Sequence, residues 1–578
     1  MLSQLPLELV DAIADLLPQH SLRSLRSVST TLYAALFPRL HCAITFRASN
    51  EWALNILEHA RQLTVKAPIH IARFHHCVYN SDFFPPARSP RGLTLGSPHE
   101  PTAHRGFLDS LSSQIHRAFA LLEPGTLHSF QWHIGTCMPA DILDAQGYIV
   151  HHQKQILRLS LINDGTCPHA GQHLEGLSCL TALTELEWEG VQNPSEASAL
   201  RGCLQQNSRH LKALSIGFLS AANLPARRDY ADILDLSPSS FCDDCPRLDI
   251  HGYSLLTSLS LSRISFPSAL LPGVQQSPFH ALQALTLRDC PNELHYLQLL
   301  ARSSRPVSLR HFEISSDYLR ESGERLAFIA IVEFLLSFRG LQYLYLKVSN
   351  FPQLLPGLDD AIHHHRSTLR GLVFHERRLM AIDSERIFEE LQDVTVTSPT
   401  IARILRKTYS PIALGLSAFA QLAHGEERIY YGLRREIVSE LQKDMDPWPW
   451  SRTGRLKKSN AAGINFWPRR KASEVQEFMR LVQWAFGPAG LPALQILAFG
   501  DFSHGDRYRE QQVLLRRKKA DGSSDVACHR GGCTANRTFC LADIDDNSLW
   551  DDLPLDGLRF LSASACPSTE LMESPYDL

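Results

Sequence analysis

From Leu127 onward the chain returns repeatedly to one short arrangement of apolar positions, L-x-x-L-x-L with substitutions. The copies are Leu127-Phe130-Trp132, Ile156-Leu159-Leu161, Leu183-Leu186-Trp188, Leu211-Leu214-Ile216, Leu256-Leu259-Leu261, Leu282-Leu285-Leu287, Leu309-Phe312-Ile314, Leu341-Leu344-Leu346 and Leu369-Leu372-Phe374. Looser ones follow at Leu391-Val394-Val396, Leu414-Leu416 and Leu494-Leu497-Phe499. Successive starts from Leu127 to Leu391 lie 29, 27, 28, 45, 26, 27, 32, 28 and 22 residues apart. The alternating second half of the motif predicts a short strand, and a period near 27 leaves room for one helical segment per copy. Helices are predicted in PSEASALRGCLQQN, NELHYLQLLARSS, ERLAFIAIVEFLLSF and LDDAIHHHR. The 45-residue interval reads as a copy with an insertion over 228–253.

The N-terminus has a different periodicity. Pro6 suits a first helical turn, and Leu5, Leu9, Ile13, Leu16 and Leu17 then form one apolar stripe. Pro18 ends that helix. Ser21 can cap a second carrying Leu22, Leu25 and Val28, and a third element carries Leu32, Tyr33, Leu36 and Phe37. So short a bundle buries little surface by itself. Its stripe either caps the domain that follows or meets a partner.

The residues LP-x-E-L-V-x-x-I at Leu5–Ile13, the pair Leu22 and Leu25, and R-x-V-S followed by Tyr33 resemble an F-box. Tyr33 stands where that family commonly has tryptophan, and Thr30-Thr31 replace its usual basic residue. The resemblance implies a three-helix motif that docks on a Skp1-like adaptor and, through it, a cullin. The contacts it carries over are Leu5, Pro6, Leu9, Ile13, Leu17, Leu22, Leu25, Val28 and Tyr33. The repeats resemble the irregular leucine-rich-repeat arrays that follow F-boxes in many fungal proteins. Such an array is an α/β solenoid, a curved parallel sheet with helices on its convex side. The polar residue expected three places after the last leucine occurs only as Cys290, so the turn hydrogen bonds must come from elsewhere. A non-repetitive α/β domain is the other reading.

These patterns divide the chain into an F-box over 1–42, a connecting segment over 43–125, repeats over 126–502 and a C-terminal region over 503–578 with a disordered tail. In the connecting segment, Ala43–Phe46 and Ile69–Phe74 read as strands around a helix at Glu51–Arg61, before a Pro/Gly/Ser-rich loop. Residues 443–472 read as a surface insertion. Within it, Lys457-Lys458 and Arg469-Arg470-Lys471 have the spacing of a bipartite nuclear import signal, or form a basic solvated loop.

Composition narrows the function. The 578 residues carry a net charge of −3, which gives no general attraction to nucleic acid or an acidic membrane. The longest apolar run, Leu326–Phe338, is too short to span a bilayer, and the N-terminus lacks a signal-peptide pattern. Thirteen cysteines without a framework are expected as reduced thiols in the cytoplasm, the nucleus or both. No P-loop, G-x-G-x-x-G, G-x-S-x-G or H-E-x-x-H motif is present. Neither a metal nor a cofactor is expected. His363-His364-His365 point in different directions on a helix, and Cys242-x-x-Cys245 lacks a second pair except the distant Cys528, His529, Cys533 and Cys540.

A non-enzymatic receptor is therefore expected, which holds an unknown protein substrate for ubiquitination. A leucine-rich scaffold acting outside any ligase is the alternative. Strand alternation puts the third, fifth and seventh residues of each copy on the face opposite the leucines. The candidate substrate residues are Glu185, Glu187 and Glu189 in copy three, His311, Glu313 and Ser315 in copy seven, and Tyr343, Tyr345 and Lys347 in copy eight.

Overall fold

The structure is a computed structural model. It describes residues within 6–47, 62–66, 109–135, 138–163, 172–191, 194–218, 253–266, 281–303, 307–316, 324–349, 357–377, 413–416, 479–499, 513–518 and 538–541, many positions of the first range and isolated ones elsewhere excepted. The chain is α/β and forms two compact units, one running to Leu282 and one starting at Gln283, with Cys290–Asn292 returning to the first.

In the first unit seven strands pair in parallel in chain order: β1 (Ala43–Arg47), β2 (Gln62–Lys66), β3 (Ser129–Gly135), β4 (Arg158–Asn163), β5 (Glu185–Val191), β6 (Ala213–Phe218) and β7 (Ser258–Ser262). The second unit has six parallel strands: β8 (Ala284–Arg288), β9 (His311–Ser316), β10 (Tyr343–Ser349), β11 (Gly371–Arg377), β12 (Ala413–Leu416) and β13 (Ile496–Phe499). Two antiparallel strands close it, β14 (Val513–Arg517) and β15 (Phe539–Leu541). A doubly wound sheet reverses its strand order; here neither unit does, which is the arrangement of a repeat solenoid.

The strands fall on the sequence motif. In copies one to five and seven to eight, the first, fourth and sixth residues are at most 5% exposed. The backbone repeats as well. The carbonyl of the motif's second residue accepts two N–H groups from the next copy. His128 O takes Leu157 and Arg158, Leu157 O takes Thr184 and Glu185, Thr184 O takes Lys212 and Ala213, and Lys212 O takes Thr257 and Ser258, at 2.7–3.2 Å. In the second unit Gln283 O takes Arg310 and His311, Arg310 O takes Gln342 and Tyr343, and Gln342 O takes Arg370 and Gly371.

The complete helices are α1 (Thr30–Leu40), α2 (Ala140–Leu143), α3 (Tyr148–His152), α4 (Pro194–Asn207), α5 (Glu293–Arg302), α6 (Glu324–Leu336) and α7 (Leu358–His364), with a 3₁₀ segment at Gln172–Cys179. The last four of these α-helices lie where the intervals between copies predict them. Gly176, in the 3₁₀ segment, has no room for a side chain, since a Cβ there would sit 2.3 Å from the Asp144 carbonyl.

The sheet also extends beyond the predicted repeats. β1 and β2 already belong to it, and Gln62–Lys66 is a strand that the hydropathy pattern did not mark. Arg516 and Arg517 lie in β14. Residues 51–61, 69–74, 228–252, 391–396 and 443–472 lie outside the described residues, as do Leu5, Cys242, Cys245, Cys528, His529 and Cys533.

Polar side chains just before the motif supply the missing turn bonds. Gln153 accepts from Leu127 N at 2.9 Å and donates to Glu123 O. Asn207 accepts from Leu183 N at 2.9 Å and donates to Leu180 O and Cys203 O. His365 Nε2 donates to Leu335 O at 2.8 Å, and Thr368 Oγ1 to Leu341 O at 2.8 Å. Each ties the end of one copy to the backbone leading into its own strand or the strand before. Cys290, three places after the last leucine of its copy, lies with its thiol 3.4 Å from Leu261 O. In the last copy Arg517 donates to the Phe486, Leu491 and Leu494 carbonyls.

Two outcomes follow. Asn207→Ala removes the side-chain partner of the buried Leu183 amide and Leu180 carbonyl and should cost about 2–4 kcal/mol. Thermal melting of the full chain should show the loss, with reduced exchange protection of the Leu183 amide. Burial, with a smaller contribution from His364, pushes the His365 imidazole down to about 4, and no described group accepts from its Nδ1. Because the folded value lies below the unfolded one, the unfolded chain takes up the proton first. Its contribution to stability is therefore lost as pH falls from about 6.5 towards about 4, by up to roughly 3 kcal/mol. The stability difference between the native chain and His365→Gln should shrink over that window and stay constant above it.

Candidate functional site

Two regions hold the candidate residues. At the N-terminus, Leu9, Val10, Ile13 and Ala14 are helical, and the Leu9 and Val10 N–H groups donate to Pro6 O at 3.1 Å. The hydroxyl of Ser29 caps α1 by accepting from Leu32 N at 3.1 Å. Val10, Ala14, Leu22, Leu32 and Leu36 form a small core, against which Leu17, Leu25 and Ala35 pack partly buried. Among the described residues, three large apolar or aromatic side chains face outward: Leu9 is 51% exposed, Val28 67% and Tyr33 47%. Pro6 is exposed too, and Ile13 is half-buried. Of the predicted partner contacts, Leu22 is thus an internal core residue, while Pro6, Leu9, Val28 and Tyr33 stand on the surface.

The second region is the sheet face opposite the leucines. Glu185 and Glu187 are half-buried and individually matched. Arg158 pairs with Glu185 at 3.0 Å, and Ser160 Oγ donates to Glu187 at 2.7 Å. Glu189 is 1% exposed, not open as alternation predicts. Its carboxylate lies over Gly217, its register partner on β6, where a Cβ would come within 1.7 Å.

In the second unit His311 is half-buried, but Glu313, Ser315, Tyr343 and Tyr345 are buried. Glu313 accepts from Arg288 Nε at 2.7 Å, and the Tyr343 ring stacks on His311 with centroids 4.8 Å apart. Burial pushes the His311 imidazole below its usual value, helped by the charge of Arg310. Lys347 is on β10, its side chain outside the described residues.

The reason for the correction is visible along each strand. The first residues of β5 and β6 alternate between half-buried and buried, whereas Trp188–Val191 and Ile216–Phe218 are buried without a break. Phe312–Ser315 and Tyr343–Leu346 are likewise continuous. Successive strand residues point to opposite faces, so both faces are covered there. Periodicity reports which residues need burial on the helical side. It carries no signal for what else covers the sheet.

Among the described residues Ser112, His116 and Asp141 come together. Ser112 Oγ donates to Asp141 Oδ2, which also accepts from His116 Nε2 at 2.8 Å. The carboxylate stands between hydroxyl and imidazole, so His116 does not hold the Ser112 proton as a general base would. Among the described residues no group of three or more His, Cys, Asp or Glu could hold a metal ion, and no helix is long and apolar enough to cross a membrane. Burial pushes the Cys203 thiol up to about 12, against the opposing hydrogen bond to Asn207.

Compared with known proteins, no family model matches this chain and no match is found among the curated proteins.

Burial makes a clear prediction for the aromatic pair. Tyr345→Ala should destabilise the chain by about 3–5 kcal/mol, as deletion of a core aromatic does, whereas Glu187→Ala should stay within about 1 kcal/mol. Comparable melting temperatures for the two variants would show that Tyr345 lies on open surface.

Proposed function

We propose that this chain is the substrate-recognition subunit of a Skp1–cullin type ubiquitin ligase. Its N-terminal helices, read as an F-box, dock a Skp1-like adaptor, and its strand repeats, read as an irregular leucine-rich-repeat solenoid, bind a protein substrate. The observation that carries this reading is the exposure of Leu9, Val28 and Tyr33 beside a core in which, among the described residues, Val10, Ala14, Leu22, Leu32 and Leu36 are buried. All three belong to the motif that resembles the F-box. Burying apolar side chains such as Leu9 and Val28 against a partner recovers about 1.5–3 kcal/mol each.

Packing also sorts the contacts. Pro6, Leu9, Val28 and Tyr33 would form the primary surface, Ile13, Leu17 and Leu25 its half-buried margin, and Leu22 the internal support. The chain itself would make no bond. It would hold a substrate lysine near a conjugating enzyme recruited by other subunits, so that proximity supplies the acceleration. Such a subunit works in the cytoplasm, the nucleus or both.

Leu9→Asp with Val28→Asp tests this directly. Both positions are exposed, so the variant should keep the native circular dichroism spectrum and melting temperature. Its capture of purified Skp1 should fall by two orders of magnitude or more, because two carboxylates cannot be buried unpaired, at about 1–3 kcal/mol each. A folded double variant that still captures Skp1 with native affinity removes the adaptor assignment.

A further inference from the structure

The second unit carries a set of arginines that neither the core nor the ion pairs account for. Arg310 and Arg370 are the second residues of their motif copies, directly before β9 and β11, and Gln342 has the same place before β10. The backbone links these three into consecutive rungs: Gln342 N donates to Arg310 O at 2.8 Å and Arg370 N to Gln342 O at 2.7 Å. Arg310 and Arg370 therefore stand two strand spacings apart, about 10 Å. Arg339 and Arg366 follow α6 and α7 in the turns leading to the same strands. All four are exposed, and none pairs with an acid among the described residues.

Neutralising the ends of α6 and α7 is the simplest role for such cations. The carbonyls there are already answered, however: Phe334 O by Ser337, Leu335 O by His365 and Phe338 O by His364. Arg366 reaches His363 Nε2, not a carbonyl. Between Arg310 and Arg370 lies the stacked pair of His311 and Tyr343, its rings 2° from parallel. In sequence Arg310 directly precedes His311, and Arg370 directly precedes Gly371, the register partner of Tyr343, so both arginines flank this pair along the row of strand starts. Burial also lowers the His311 imidazole below its usual range, which favours its uncharged form.

We propose that this edge of the second unit binds an acidic peptide segment of a partner protein, with acidic groups three residues apart answering Arg310 and Arg370. A polyproline-type extended peptide advances about 9 Å in three residues and returns to the same side, which matches two strand spacings. Guanidinium forks take carboxylate or phosphate in two-point contacts. Nucleic acid and membranes fit less well. The chain is net negative, and four arginines on two strand spacings fall short of the six to ten phosphate contacts that strong, salt-sensitive nucleic-acid binding uses. That the partner is a ligase substrate rests on the adaptor reading; the binding itself does not.

The probe is a fluorescent peptide with glutamate at every third residue, tested by anisotropy against the full chain. Its controls are a peptide of equal charge with the glutamates in one block and one with phosphoserine at the spaced positions. The spaced peptide should bind more tightly than the blocked one, weaken with added salt, and keep its affinity from pH 6 to 8. Arg310→Ala with Arg370→Ala should weaken it about tenfold or more, and the double lysine variant by an intermediate factor. Equal binding of the phosphoserine peptide supports a constitutively acidic segment, and much tighter binding supports a phosphorylated one. No binding, indifference to the arginine variants, or tighter binding of a duplex oligonucleotide or anionic vesicles would overturn the proposal. Skp1 capture by the alanine variant serves as the independent readout. If native chain and variant both fail there while the peptide result holds, the adaptor reading falls and this one stands.

Discussion

A parallel strand cannot be satisfied by its immediate neighbour in sequence, because the chain must first travel back to the starting end of the sheet. Everything described in these two units follows from that constraint. Each strand is followed by a helical or irregular return, and each return delivers the next strand beside the last. The carbonyls of His128, Leu157, Thr184 and Lys212, and of Gln283, Arg310 and Gln342, each bind two N–H groups of the following copy. This stepped bond sets the register before any side chain is considered. It also explains the tolerance of uneven lengths, since only the two ends of each return are constrained.

The returns themselves have buried turns whose backbone groups need partners. A regular array would answer them with one residue type at one position. This chain uses glutamine, asparagine, histidine and threonine just before the motif, and cysteine and arginine elsewhere. Different side chains of different reach imply turns of different shape. The irregularity of the repeat is thus a local property of its pegs, while the strand rows stay regular.

Where the sheet is covered on both faces, its outward residues are structural. Glu189 settles over Gly217, Glu313 is held by Arg288, and Tyr345 is fully enclosed. Exposed groups among the described residues include those just outside the strands, such as the arginines ahead of β9 and β11, and, in the N-terminal segment, Leu9 and Val28.

The hydropathy pattern alone determined where the strands begin, because a first, fourth and sixth residue that must all leave water admit few other structures. It likewise determined α4 to α7 and the parallel sense of the sheet, since a strand–helix alternation has no other connection. It placed Leu9, Val28 and Tyr33 at apolar positions of three successive short elements. It could not divide those positions, because residues that pack inward and residues left outward have the same hydropathy; only the packing of Leu32 and Leu36 of α1 with Val10, Ala14 and Leu22 did so. The coverage of Tyr345 and Glu313, the strand at Gln62–Lys66 and the closing strands β14 and β15 were decided by tertiary structure for a related reason. Burial on a second face depends on which distant segment lies there, and a local period contains no record of it.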